Sequence, residues 1–308
     1  MCDIWKANAD KREISLHELD RHMDGIRALH VQRVMLTGGE PLLHRNLWAL
    51  CDRLRREGIR VTLVTTGLLI EPHAVEIGRY VDDLVVSIDG PPEVHDVIRR
   101  VPRGFERLAR GIRQVIAATT RPVIIVRSVV QRLNHTCVAE TARATQALGV
   151  DRLSYLAPDV SSQAFNRPEP WDETRRREIA LSADELNAFE SAIRSLESSS
   201  PDLLTNGFIV GGVVSLWRIH QYFRALHGCA SFPEVRCNAP WVSAVLEPGN
   251  QLRPCFFHPL YSSDGRTSVE NILNSTEAIA FRKGLDVRTD ATCQRCVCSL
   301  SMPIWGDA

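Results

Sequence analysis

The chain has 308 residues, 37 basic and 37 acidic side chains, and no formal net charge. With 44% hydrophobic and 24% charged residues it has the composition of an ordinary globular protein with a real core. Neutrality argues against a general polyanion binder, so a nucleic-acid partner is not expected. No apolar run reaches the roughly 18–20 residues that span a bilayer. No charged-then-apolar leader is visible, so a cytoplasmic location is expected and no membrane partner.

In chain order, Ser15-Leu-His-Glu18 reads as a capping box, followed by Leu19, Met23, Ile26 and Leu29 on one helical face. Residues 31–36 form a strand candidate that ends at Thr37-Gly38-Gly39, and 46–57 are helical with Gly58 as the stop signal. Further strands are expected at 59–64, 84–88, 123–129 and 152–156, with helices near 72–79, 104–119 and 134–148. This alternation implies a parallel sheet with helices outside, whose strand ends feed loops on one face where chemistry collects. After residue 157 the rhythm breaks. Residues 158–181 read as a loop, 182–196 as a capped helix and 198–201 as a linker. A helical pattern through Val213, Leu216, Ile219, Phe223 and Leu226 follows. A hairpin is expected over 241–255, turning at Glu247-Pro248-Gly249-Asn250. Arg175, Arg176 and Arg177 read as a solvated face.

The nine cysteines are not scattered, since five lie from Cys237 onward. In a chain with no secretory signature, clustered cysteines point to metal rather than disulfides. Cys51 and Cys137 sit in helical patterns and read as small apolar residues, while Cys229 has no clear role. Cys237, Cys255, Cys293 and Cys296 form two separated pairs, the second a Cys-x2-Cys that brings both sulfurs to one centre. By spacing, zinc and an iron–sulfur cluster are both open. Cys298 is the odd thiol, able to substitute for Cys296 or stay free, and His258 reads as a surface histidine.

Three motifs carry the remaining signal. Leu36-Thr-Gly-Gly-Glu-Pro-Leu-Leu43 follows the first strand, with two glycines that let a ligand approach the backbone and a carboxylate able to accept from an ammonium group. Ser87-Ile-Asp-Gly-Pro-Pro92 precedes His95-Asp96 and Arg99, a serine and an arginine suited to hydroxyls and a carboxylate. Met1-Cys2-Asp3-Ile4-Trp5-Lys6 opens the chain.

In this order the motifs resemble the radical S-adenosylmethionine (SAM) enzymes over residues 1 to about 157. The resemblance implies an α/β fold, a partial (β/α)6 TIM-like barrel, here lacking its first strand, plus a small cysteine-rich hairpin and helix extension. It implies a [4Fe–4S] cluster held by three cysteines spaced C-x3-C-x2-C and chelated by SAM. Reductive cleavage of SAM then gives a 5′-deoxyadenosyl radical that abstracts hydrogen from a peptide or small-molecule substrate. Gly38, Gly39 and Glu40 would hold the methionine amino group, Ser87 and Arg99 would lie near ribose and carboxylate, and Leu156 would border the adenine. The tail resembles a SPASM/twitch extension with one auxiliary [4Fe–4S] cluster on ligands drawn from Cys237, Cys255, Cys293, Cys296 and Cys298. A full SPASM set needs about seven cysteines there. An external electron donor such as flavodoxin or ferredoxin is implied.

Cys2 matches only the third cysteine of the triplet, and the other two would fall before residue 1. The expectation is therefore an oxidoreductase sequence that begins too late, inactive as written because one thiolate cannot hold the cluster. A degenerate remnant and a zinc-stabilised binding module are the alternatives. Three regions are expected: residues 1–157 as the partial barrel, 158–232 as a helical, substrate-determining segment, and 233–308 as the auxiliary iron–sulfur domain.

Overall fold

The computed structural model describes residues 11–164, 167, 169–261 and 267–302; Cys2 and its neighbours lie outside the described residues. In chain order the first stretch gives α1 (Leu16–Ala28), β1 (Arg33–Leu36), α2 (Leu47–Arg55), β2 (Arg60–Thr65), α3 (Ala74–Tyr80) and β3 (Asp83–Ser87). Then come α4 (Pro92–Arg99), α5 (Gly104–Ala117), β4 (Val123–Val129), α6 (Val138–Gln146) and β5 (Arg152–Leu156). The remainder holds α7 (Glu173–Ile179), α8 (Glu185–Ser199), α9 (Pro201–Thr205), α10 (Gly212–Leu226), α11 (Ala239–Val242), β6 (Val245–Glu247), β7 (Gln251–Arg253), α12 (Val269–Leu273), α13 (Thr276–Gly284) and α14 (Ala291–Gln294). No helix among the described residues is long and apolar enough to cross a membrane. The chain divides into two compact units.

The first unit comprises residues 33–158 and 172–231. Its sheet runs β1-β2-β3-β4-β5, every neighbouring pair parallel. The register places Leu63, Leu84 and Ile124 in one row and Val86, Val126 and Leu153 in the next, all fully buried. Tyr155 shares that face and donates its hydroxyl to the carbonyl of Val138 at the start of α6, 2.6 Å away. The other face is more open: Ile125, Ser87, Arg127, Ser154, Val129 and Leu156 are half-buried. Beyond β5 the sheet edge is covered by Ile209, because Leu153 N–H donates to Phe208 C=O and Val210 N–H to Leu153 C=O. That pairing satisfies backbone groups an edge strand would leave open. Here α8 packs on α6 and on α10, burying Phe189, Ile193 and Phe223, so residues 172–231 build onto the sheet rather than link past it.

The stretch expected to be a loop contains α7, capped by Asp172, whose side chain accepts from the Arg175 amide at 2.7 Å. Pro201 starts α9 where a linker was expected, as proline at a first helical position permits. Arg175, Arg176 and Arg177 pair with Glu178 and Glu173 on the same helix, the solvated face the sequence implies.

The second unit comprises residues 1–32, 159–171 and 232–308. The capping box of α1 is formed in both directions between Ser15 and Glu18. Glu18 also accepts from the Gly249 amide at 3.1 Å, which ties the turn of the antiparallel β6–β7 hairpin to α1. The strands are shorter than expected because Trp241 belongs to α11. Arg167 and Asp159 form a buried ion pair beneath Trp171.

Candidate functional site

The loops leaving the C-terminal ends of the parallel strands are fastened by two carboxylates. Glu40, after β1, is the first. Its Oε1 accepts from Leu42 N–H at 3.1 Å and the Thr65 hydroxyl at 2.8 Å. Its Oε2 accepts from Thr66 N–H at 2.8 Å and the Thr66 hydroxyl at 2.5 Å. Four donors fill the lone pairs of this carboxylate, so Glu40 is a clasp joining the ends of β1 and β2. What it holds in place is exposed backbone: Gly38 has φ +150°, and a Cβ on Gly38 or Gly39 would meet no atom within 4 Å. This is a bare turn above which a ligand can lie against the peptide groups.

Asp89, after β3, is the second. It is fully buried. Its Oδ1 accepts from Val129 N–H at 2.9 Å, and its Oδ2 lies 2.6 Å from Arg99 Nη2. The Asn134 amide donates to the carbonyls of Asp89 (2.7 Å) and Val129 (3.0 Å), and its Oδ1 accepts from Gln131 N–H. His95 Nδ1 accepts from the Asp89 amide at 3.2 Å. Burial, reinforced by the Arg99 charge, lowers the His95 pKa to about 4, so the ring is neutral with its proton on Nε2. The His-Asp-Arg series thus makes a polar clamp between β3 and β4, in which Arg99 already has a partner on the chain.

Sequence reading missed two members of this rim. Asn134 is one. Arg127 is the other: it stands beside Ser87 and Ser154 in one register row of the open face, and its Nε, like that of Arg99, is buried without a hydrogen-bond partner among the described residues. A buried guanidinium nitrogen lacking an acceptor invites an anion. The sequence signal was an arginine inside an otherwise apolar strand, Val-Ile-Ile-Val-Arg-Ser-Val. Leu156 lies one row further on, opposite Val129.

The tail cysteines gather as well. Cys237, Cys255, Cys293, Cys296 and Cys298 line one pocket with His258, Phe257, Pro240 and Val235. Backbone amides point at three of the sulfurs: Ala239 and Leu300 N–H at Cys237 Sγ (both 3.5 Å), Phe257 N–H at Cys255 Sγ (3.5 Å) and Cys298 N–H at Cys296 Sγ (3.4 Å). Burial and the neighbouring thiols push Cys296 up to about 12, and burial raises Cys255 and Cys293 too. Thiols so crowded ionise together only around a cation, and amides aimed at sulfur suit the ionised form. The donor set therefore fits a thiolate-bound centre. His258 is not a surface residue: it is 6% exposed, packed edge-on to Phe281 at 5.1 Å, with Nε2 3.4 Å from Cys293 Sγ. Among the described residues the other cysteines stay apart: Cys51 is buried and pushed to about 12 by burial, Cys137 precedes α6, and Cys229 is exposed.

The Radical SAM superfamily profile matches residues 1–145. AdoMet-dependent heme synthase of Methanosarcina barkeri is 33% identical over 168 residues, covering 53% of this chain and 48% of that protein. GTP 3′,8-cyclase of Heliobacterium modesticaldum is 33% identical over 141 residues, 44% of this chain and 43% of that protein. The matches span about half the length of these curated relatives. Among solved structures, native anSMEcpe with bound AdoMet aligns with a TM-score of 0.61 at 15% identity, over 92% of this chain and 77% of that one. Streptococcus suis SuiB bound to precursor peptide SuiA aligns with a TM-score of 0.58 at 11% identity, over 91% and 63%. Both share the α/β fold with its parallel sheet. Residues 1–145 are a radical SAM domain, and the curated relatives named here, which share it, are enzymes.

Proposed function

We propose that the rim of the parallel sheet binds SAM and that the cysteine pocket holds an auxiliary [4Fe–4S] cluster of the SPASM/twitch kind, in an oxidoreductase acting on a peptide or small molecule. The observation that carries the SAM site is the bare Gly38–Gly39 turn, held by Glu40 on the same sheet edge as Ser87 and Arg127. Gly38 and Gly39 offer backbone groups to the methionine amino end while Glu40 fixes their orientation. Ser87 serves the ribose hydroxyls, and Leu156 borders the adenine. Arg127 is better suited than Arg99 to the carboxylate, because Arg99 is neutralised by Asp89. When bound with SAM, a [4Fe–4S] cluster supplies the electron that yields a 5′-deoxyadenosyl radical for hydrogen abstraction; Cys2 is the thiolate this sequence offers it. The electron would come from a flavodoxin or ferredoxin, in the cytoplasm. The helices over 172–231, packed on the sheet, would shape substrate choice.

For the tail, an iron–sulfur cluster is favoured over zinc. Zinc–sulfur bonds of about 2.3 Å draw four sulfurs to within roughly 4 Å of one another. Among the described residues, the group with all ligand atoms within 4.8 Å is His258, Asp290 and Cys293, not a set of thiols. The five cysteines line one pocket, and no three of their sulfurs form such a group among the described residues.

Two measurements test the proposal. Equilibrium dialysis with radiolabelled SAM should show binding that Arg127→Met abolishes; equal retention by Arg127→Met overturns the site. After anaerobic reconstitution, the chain should hold iron and sulfide in equal amounts, lost on Cys255→Ser. One zinc without sulfide would support a zinc-stabilised binding module instead. Release of 5′-deoxyadenosine on reduction, from a chain extended upstream to complete the cysteine triplet, tests the radical step.

A further inference from the structure

His258 stands five residues past β7, in the Cys255-Phe-Phe-His258 segment, and its surroundings fix it from several sides. Phe281 meets the ring edge-on at 5.1 Å, and Tyr261 packs on Phe281 at 5.9 Å. The His258 carbonyl accepts from Arg253 Nη1 at 3.3 Å. Nε2 lies 3.4 Å from Cys293 Sγ and 3.8 Å from Asp290 Oδ1. Asp290 is itself committed, since Oδ1 accepts from the amides of Thr292 and Cys293 at 3.0 and 2.8 Å and so caps α14. An aromatic wall, an acidic cap and a pocket sulfur thus meet at one imidazole ring.

We propose that His258 is a positioning residue of the tail centre, donating its Nε2 proton to the Cys293 sulfur and drawing electron density from it. This rests on reading the tail as an iron–sulfur centre. A ligating thiolate can only accept, and a carboxylate oxygen can only accept, so both neighbours of Nε2 select the tautomer that carries hydrogen there. The backbone amides at Cys237, Cys255 and Cys296 do the same for their sulfurs, and no amide–sulfur bond of this kind is formed at Cys293 among those hydrogen bonds. His258 supplies the missing donor from a side chain. Hydrogen bonds to cluster sulfurs favour the reduced form, so losing this one should make the centre harder to reduce.

The test uses the whole chain, reconstituted anaerobically, with His258→Phe and His258→Gln. Phenylalanine keeps the ring against Phe281 and removes the donor; glutamine keeps an N–H donor without the ring. Iron and sulfide content, the visible spectrum and the midpoint potential from a spectroelectrochemical titration are measured for each. The expected result is unchanged iron and sulfide in both variants, a more negative potential in His258→Phe, and partial return toward wild type in His258→Gln. A wild-type potential in His258→Phe overturns the role. Loss of iron in His258→Phe overturns it too and makes His258 a ligand. If the wild-type chain takes up no iron and sulfide, the cluster reading itself fails, a result distinct from either.

Discussion

Asp89 Oδ2 and Arg99 Nη2 lie 2.6 Å apart at the top of β3, the carboxylate fully buried and the guanidinium one quarter exposed. A buried pair of this kind contributes little relative to an apolar pair of the same shape, but removing one partner strands the other charge. Asp89→Asn should lower stability by about 3 kcal/mol, read as a shift in the urea midpoint by circular dichroism. Asp89→Asn combined with Arg99→Leu should recover part of that loss. If the single variant unfolds at the wild-type midpoint, the clamp between β3 and β4 does not hold the rim.

The same clamp contains a pH dependence. His95 is buried and its Nδ1 accepts from the Asp89 amide, so protonation would set two N–H groups against each other. Its pKa falls to about 4 from an unfolded value near 6.5, through burial first and the Arg99 charge second. Between those values the unfolded chain binds the proton and the folded chain does not. The contribution is therefore complete above pH 6.5 and is lost as pH falls toward 4, by about 3 kcal/mol in all. His95→Gln should flatten that part of the stability–pH curve. An unchanged slope would show that another group titrates there.

The two open glycines separate folding from binding. Alanine at Gly38 must take φ +150°, a conformation disfavoured for a side chain, so Gly38→Ala should cost about 1–3 kcal/mol. Gly39→Ala has no such backbone penalty, and its Cβ meets nothing in the chain. It should leave the urea midpoint in place and still weaken SAM binding, because the methyl group enters the space the ligand needs. Undiminished SAM retention by Gly39→Ala in dialysis would remove this turn from the site.

The parallel sheet was legible because buried strands such as Asp83-Leu-Val-Val-Ser87 are short continuous apolar runs separated by helical periodicity. α7 was not, because Arg175, Arg176, Arg177 and two glutamates leave only Ile179 buried, too little for an apolar stripe. Glu40 and Arg99 were legible as residues but not in their roles. Thr65 and Thr66, which engage Glu40, are brought to it by the pairing of β1 with β2, while Arg99 turns back from the end of α4 onto Asp89. Arg127 was hidden for the same reason, since only the register sets it beside Ser87. His258 reads as exposed until Cys293, thirty-five residues on, is folded against it.

The tail thiols should divide by position. All five line the pocket, but Cys237, Cys255, Cys293 and Cys296 are the half-buried four, and three of them accept backbone amides. Serine at any of the four removes a soft thiolate ligand, so each variant should lose most of its iron and sulfide after anaerobic reconstitution. Cys298 is exposed, and its own amide serves Cys296 through the backbone, which substitution leaves intact. Cys298→Ser should therefore keep the iron content and the visible absorption of the wild type. Cys51→Ser, outside that pocket, should change stability and leave iron unchanged. If Cys298→Ser loses iron while Cys293→Ser keeps it, the fourth ligand is Cys298, and the Cys-x2-Cys pair does not close the site.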